Sequence, residues 1–269
     1  MTTVESSASG GQLSGRLRRF SVLFGVGMIG VLAAAITGVV GAELPEPLAS
    51  QPTVLVVALV AAQSAVLLAV AVLVGQYTAP RVGFTSRLRE WATDPRGTAW
   101  AGFRAELRPA ATLGSAAGVV LLAVSWAFGP AGSLSGAGAT VTDVLRGVPL
   151  RFLYGGLTEE LLLRWGVMSV IAALLWRVTG SERGNVSAWV AWTAIVASAV
   201  LFGVGHLPTA ATLYGGLTPA VVGFVVVGNT IGGIAYGWLF WRHSLEAAMV
   251  GHMATHVVFV AVSMVLVLS

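Results

Sequence analysis

Thr158-Glu159-Glu160-Leu161-Leu162-Leu163-Arg164 sets two adjacent carboxylates and a guanidinium inside an otherwise apolar stretch, 144–178. A charge at bilayer depth costs at least about 2.5–3.5 kcal/mol, so three of them need partners or a function. On a helix, Glu160 and Arg164 stand at i, i+4 and share a face. Glu159 lies about 100° round the axis from Glu160. The spacing predicts that Glu160 and Arg164 neutralise each other while Glu159 is left for chemistry. A Glu–Arg pair that only staples two helices is the competing reading of these residues alone.

The rest of the chain supports a membrane setting. Of 269 residues, 56% are hydrophobic and 10% charged, whereas a soluble domain carries about 25% charged residues. Mean hydropathy is +0.86. Seven stretches are apolar over about the 20 residues that a crossing needs: 20–42, 53–76, 110–128, 144–178, 187–207, 217–241 and 244–268. The expected fold is an all-α polytopic bundle. The fourth stretch is too long for a simple crossing, and Gly155-Gly156 is a candidate bend. The first is longer than a signal-peptide core of about 7–15 residues, so it reads as an uncleaved span. The preceding residues 1–19 read as a disordered tail.

Every basic residue is an arginine, and there is no cysteine. Without cysteine there is no disulfide, thiolate nucleophile or Cys-type zinc site. The arginines fall at the ends of apolar stretches rather than in a dense patch, so nucleic acid is not an expected partner. They load the amino terminus and the loops at 77–109, 177–186 and 242, while 43–52, 129–143 and 208–216 carry none. That alternation predicts a cytoplasmic amino terminus. Within 77–109, Arg87, Leu88, Trp91, Trp100, Phe103 and Leu107 read as an amphipathic helix on the cytoplasmic leaflet or an ordinary connecting helix. Gly228, Gly232, Gly233 and Gly237 form a small-residue packing face, with Asn229 as a candidate interhelical hydrogen-bonder.

Three histidines share the apolar stretches with the glutamates: His206, and the i, i+4 pair His252 and His256. A carboxylate and a neutral imidazole together can take a proton from water. A further imidazole can donate to a developing oxyanion. The same donors, Glu159 with His206, His252 and His256, also admit a zinc ion with an open water position, and both readings stand on residue types alone. No Gly-x-Ser-x-Gly elbow and no His-Glu-x-x-His is present.

Three ordered motifs resemble those of the CPBP (CAAX protease / Abi) intramembrane protease family: Glu159-Glu160-x-x-x-Arg164, Phe202-x-x-x-His206 and His252-x-x-x-His256. The last departs from the usual His-x-x-x-Asn. The resemblance covers about residues 150–260. It implies a catalytic core at 144–269, preceded by transmembrane helices over 20–143. It also implies water activation by Glu159 and His206, with oxyanion stabilisation by His252 and residue 256. The expected activity is that of a CAAX-prenyl-protease-like endopeptidase acting on a membrane-associated peptide or protein. The bilayer would be that of a bacterial plasma membrane. The alternative is a transporter, accessory or bacteriocin-immunity-type protein that uses the Glu/His cluster for protons or cations. One geometric tension stands: with a 1.5 Å rise per residue, His252 lies about 12 Å from its helix start and His206 nearly 30 Å from its own.

Overall fold

The computed structural model describes residues 3–40, 46–130, 140–179 and 184–269. Among these residues every regular element is helical. In order they are α1 (Thr3–Val39), α2 (Thr53–Thr78), α3 (Arg87–Trp91), α4 (Ala99–Phe128) and α5 (Val141–Arg146). Two π-helical segments follow, Leu150–Glu159 and Leu161–Met168. Then come α6 (Ser169–Thr179), α7 (Ala188–Gly205), α8 (Leu207–Leu213), α9 (Pro219–Arg242) and α10 (Leu245–Leu268). Among the described residues, seven stretches are long and apolar enough to cross a bilayer: 13–39, 53–81, 99–128, 141–179, 188–213, 219–242 and 245–268. The chain is a multi-pass, all-α membrane protein, as the hydropathy pattern predicts. Val54, Trp126 and Val178 each stand more than 80% exposed on the outside of the bundle, as expected for side chains whose solvent is lipid.

Small residues set the closest helix crossings, because lipid gives apolar faces little incentive to associate and only backbone approach adds contact. Gly114 of α4 packs on the carbonyl of Gly251 in α10. Gly30 of α1 packs on the carbonyl of Leu153 in the first π segment, and Thr158 Oγ donates to the Gly27 carbonyl at 2.7 Å. The glycine face of α9 meets α7, with Gly233 against Ala199 and Gly237 against Ile195. Asn229 does not bridge helices. Its amide donates to Val225 of its own helix at 2.8 Å.

Four expectations about boundaries change. α1 begins at Thr3, so helix replaces the expected disordered tail. That stretch has no proline, and the apolar span supplies the nucleus from which a helix propagates. The segment 77–109 is not one surface helix. Asp94-Pro95-Arg96-Gly97 interrupts it, leaving short α3 and an early start to α4 at Ala99. α4 can run in early because its buried Glu106 is satisfied by the Arg87 guanidinium, at 3.2 Å from Nε, and by the Ser244 hydroxyl. The fourth crossing spans 141–179 and passes through Gly155-Gly156 in π geometry, whose i→i+5 bonding gathers at functional sites.

α10 does not start at the surface. Ser244, Leu245 and Glu246 are buried. Glu246 accepts from Ser86 Oγ at 2.7 Å, Arg87 N–H at 2.7 Å and Leu88 N–H at 3.1 Å. Leu245 N–H donates to the Thr85 carbonyl at 3.0 Å. The segment 85–91 thus closes over an inset helix end, whereas Trp189 at the start of α7 is 54% exposed.

Candidate active site

His206 owes its position to the end of α7. The last four carbonyls of a helix have no intrahelical donor, and Phe202 is among them. His206 caps the helix and turns Nδ1 back to the Phe202 carbonyl at 2.8 Å. A carbonyl only accepts, so Nδ1 carries the proton and Nε2 keeps its lone pair. Pro208 then opens α8 in its first turn, where a missing N–H costs nothing. This is the physical content of the Phe-x-x-x-His spacing. His206 Nε2 faces Glu159 Oε1 across 3.8 Å. Glu159 itself ends the first π segment, with its side chain 16% exposed.

Glu160 and Arg164 form the expected pair, wholly buried, with Arg164 Nε 3.2 Å from Glu160 Oε2. The contact is ionic rather than a well-aligned hydrogen bond, since neither of those atoms finds hydrogen-bond geometry among the described residues. Arg164 also donates to the Gly233 carbonyl at 3.0 Å. Its guanidinium lies over Phe202 and Tyr236, at 5.1 and 5.5 Å from the ring centres. Neutralisation is not the whole of Glu160's role. Its other oxygen accepts from His252 Nδ1 at 2.9 Å, so a carboxylate on the fourth crossing fixes an imidazole on the seventh.

His252 is sandwiched by stacking. Tyr236 lies 4.3 Å away on one side at 17°, and His256 lies 4.9 Å away at 25°. Both histidines turn Nε2 toward the bare Cα of Gly155. A Cβ there would stand 2.9 Å from Nε2 of His256 and 3.6 Å from Nε2 of His252. Gly155 is therefore required for close approach. We expect Gly155→Ala to push both rings aside and lower turnover at least tenfold while the protein still folds. Steady-state assays beside a thermal melt check it.

Glu159, His206, His252 and His256 line one cavity of about 450 Å³. The depth mismatch disappears because α10 starts inside the protein, which brings its eighth residue level with the far end of α7. The geometry gives the zinc reading no support. Among the described residues, no three His, Asp or Glu side chains gather as a metal site. His252 turns Nδ1 to Glu160 and His206 turns Nδ1 to Phe202, while Nε2 of His256 and of His252 lie beside Gly155.

Two cavity residues escape a reading of the sequence. Tyr154 stands on its wall, and so does Arg151, whose buried Nη1 has no partner among the described residues. The cost of intramembrane charge that singles out Arg164 applies equally to Arg151, eight residues before Glu159, and would have found it.

Residues 142–258 match the family model described as Type II CAAX prenyl endopeptidase Rce1-like. Over this segment, somewhat less than half of the chain, the sequence is similar to that family. No curated protein and no solved structure gives a match. The matched segment contains every residue of the three motifs, from Glu159 to His256, together with Arg151, Gly155 and Tyr236.

Proposed function

We propose that the chain is an intramembrane endopeptidase that hydrolyses a peptide bond of a membrane-associated substrate in the 450 Å³ cavity. The observation that carries this is the facing pair Glu159 Oε1 and His206 Nε2, 3.8 Å apart. With Nδ1–H committed to Phe202, both facing atoms are acceptors. A water between them can donate one O–H to each, and its lone pairs then point into the cavity.

The water oxygen attacks the carbonyl carbon as a proton passes to the Glu159/His206 pair. The resulting oxyanion meets the Nε2 atoms of His256 and His252. Nδ1 of His256 has no partner among the described residues, so the tautomer with its proton on Nε2 leaves only a lone pair unmatched and gives the cavity a donor. Glu160 holds the His252 ring and offsets a second proton on it. Arg164 holds Glu160 in place. The proton taken from water then reaches the amide nitrogen, the C–N bond breaks, and a new carboxylate and amine leave. Preorganised donors of this kind are worth about 10²–10³ each in turnover.

In this reading the arginine-bearing loop 77–109 faces the cytoplasm of a bacterial cell, the amino terminus is inside, and 144–269 is the catalytic core. The test is cleavage of candidate membrane peptides by the purified, reconstituted chain in ¹⁸O water, with proton and cation flux measured on the same vesicles. One ¹⁸O atom in the new carboxylate and no flux is the expected result. Flux without cleavage would overturn the proposal in favour of a transport role.

A further inference from the structure

The end of the bundle away from α8 carries a second cavity, of about 490 Å³. Its walls include Trp91 of α3, Trp100 and Phe103 of α4, Leu157 of the first π segment, and Met249 and Met253 of α10. Trp91 is 48% and Trp100 63% exposed, so the cavity opens sideways, at the level where the α1, α4 and α10 crossings begin. A smaller cleft of about 260 Å³ adjoins it, with Ala99 in both walls.

The cleft is lined by Arg19 and Arg89. The Nε atoms of both are buried and have no partner among the described residues. Arg19 donates to Thr93 Oγ1 at 3.3 Å. Burial, and then the charge of Arg19 beside it, hold the Arg89 guanidinium below its ordinary value, with Glu90 opposing. The two carboxylates of the cleft are turned elsewhere. Glu90 pairs with Arg87 at 3.0 Å, and Asp94 folds back against Gly97. Two like charges with unmatched N–H groups, side by side and partly dehydrated, favour an anion between them. The adjoining apolar cavity favours a hydrocarbon chain. Aromatic side chains and arginines at the membrane boundary are the usual lining for such a ligand.

We propose that this is a binding site for an anionic phospholipid, with its phosphate on Arg19 and Arg89 and an acyl chain in the cavity walled by Trp91, Trp100 and Phe103. The site does not depend on the peptidase reading. It does touch the same helix, because Glu246 lines the cavity while gripping the 85–91 segment. A bound lipid would therefore brace the inset end of α10.

The full chain in detergent, titrated with phosphatidylglycerol and phosphatidylcholine of matched acyl chains and read by native mass spectrometry, tests the site. Wild type should retain one phosphatidylglycerol at least tenfold more strongly than phosphatidylcholine. Arg19→Gln/Arg89→Gln should bring the two lipids to near parity, and Arg19→Lys/Arg89→Lys should keep most of the preference. Trp100→Ala, at an exposed position where folding is not at stake, should weaken phosphatidylglycerol retention several-fold. Equal retention of the two lipids by wild type would overturn the proposal. So would an unchanged preference in the glutamine variant, or unchanged retention in Trp100→Ala. Displacement by glycerol phosphate as effectively as by the whole lipid would also overturn it, by marking a phosphate-only site.

Discussion

Glu159→Gln should abolish peptide cleavage, with turnover falling by about 10²–10⁴, the usual range for a positioned acid–base group. The amide keeps the size of the side chain and can still accept a hydrogen bond, but it cannot carry the proton of the attacking water. His206→Ala should cost about as much. The double variant should cost little more than either alone, because both groups act on one water and their losses are not additive. Folding should be untouched, since the Glu159 side chain faces the cavity and joins no buried pair. Cleavage kinetics of the three variants, beside their thermal melts, check this. Retention of more than a tenth of the wild-type rate by Glu159→Gln would reject the assignment of the base.

The opposite behaviour is expected at Arg164. Arg164→Ala leaves Glu160 as an uncompensated charge in a site with no solvent exposure and should destabilise by about 3–5 kcal/mol. Arg164→Lys should recover little. One ammonium cannot span Glu160 and the Gly233 carbonyl while lying flat over Phe202 and Tyr236. Replacing both partners by leucine removes both charges and should restore much of the lost stability. It should not restore cleavage, because His252 then loses the acceptor that holds Nδ1. Denaturant unfolding in micelles, run beside the cleavage assay, separates the two effects. If the double variant is both stable and active, Glu160 has no positioning role.

Much of this arrangement follows from short-range rules. Hydropathy finds the seven crossings because each buries its own backbone polar groups and needs only length and apolarity. The Glu160–Arg164 pair follows from helical spacing. His206 follows from the end of its helix once the break before Pro208 is seen. What spacing does not reveal lies between elements. The Glu160–His252 contact joins residues on the fourth and seventh crossings, and no local periodicity encodes it. The π geometry of 150–168 leaves the apolar pattern unchanged and alters only the turn. The first third of α4 reads as loop because Glu106 and Arg87 look hydrophilic, and they become compatible with burial only by finding each other. Residue types also leave open which nitrogen of each ring faces the cavity, and the fold sets that by giving Nδ1 of His206 to Phe202 and Nδ1 of His252 to Glu160.

The buried start of α10 makes the 85–91 segment a depth stop for the chemistry. Four residues inserted after Leu245 would have no room to extend outward past that segment. They would instead drive His252 and His256 about 6 Å along the axis, at 1.5 Å per residue, past Phe202 and away from Gly155. Glu159 and His206, hung on other helices, would stay where they are. The register of His252 and His256 against Glu159 and His206 is therefore set by the length of one connection two turns away, without altering any side chain of the cavity.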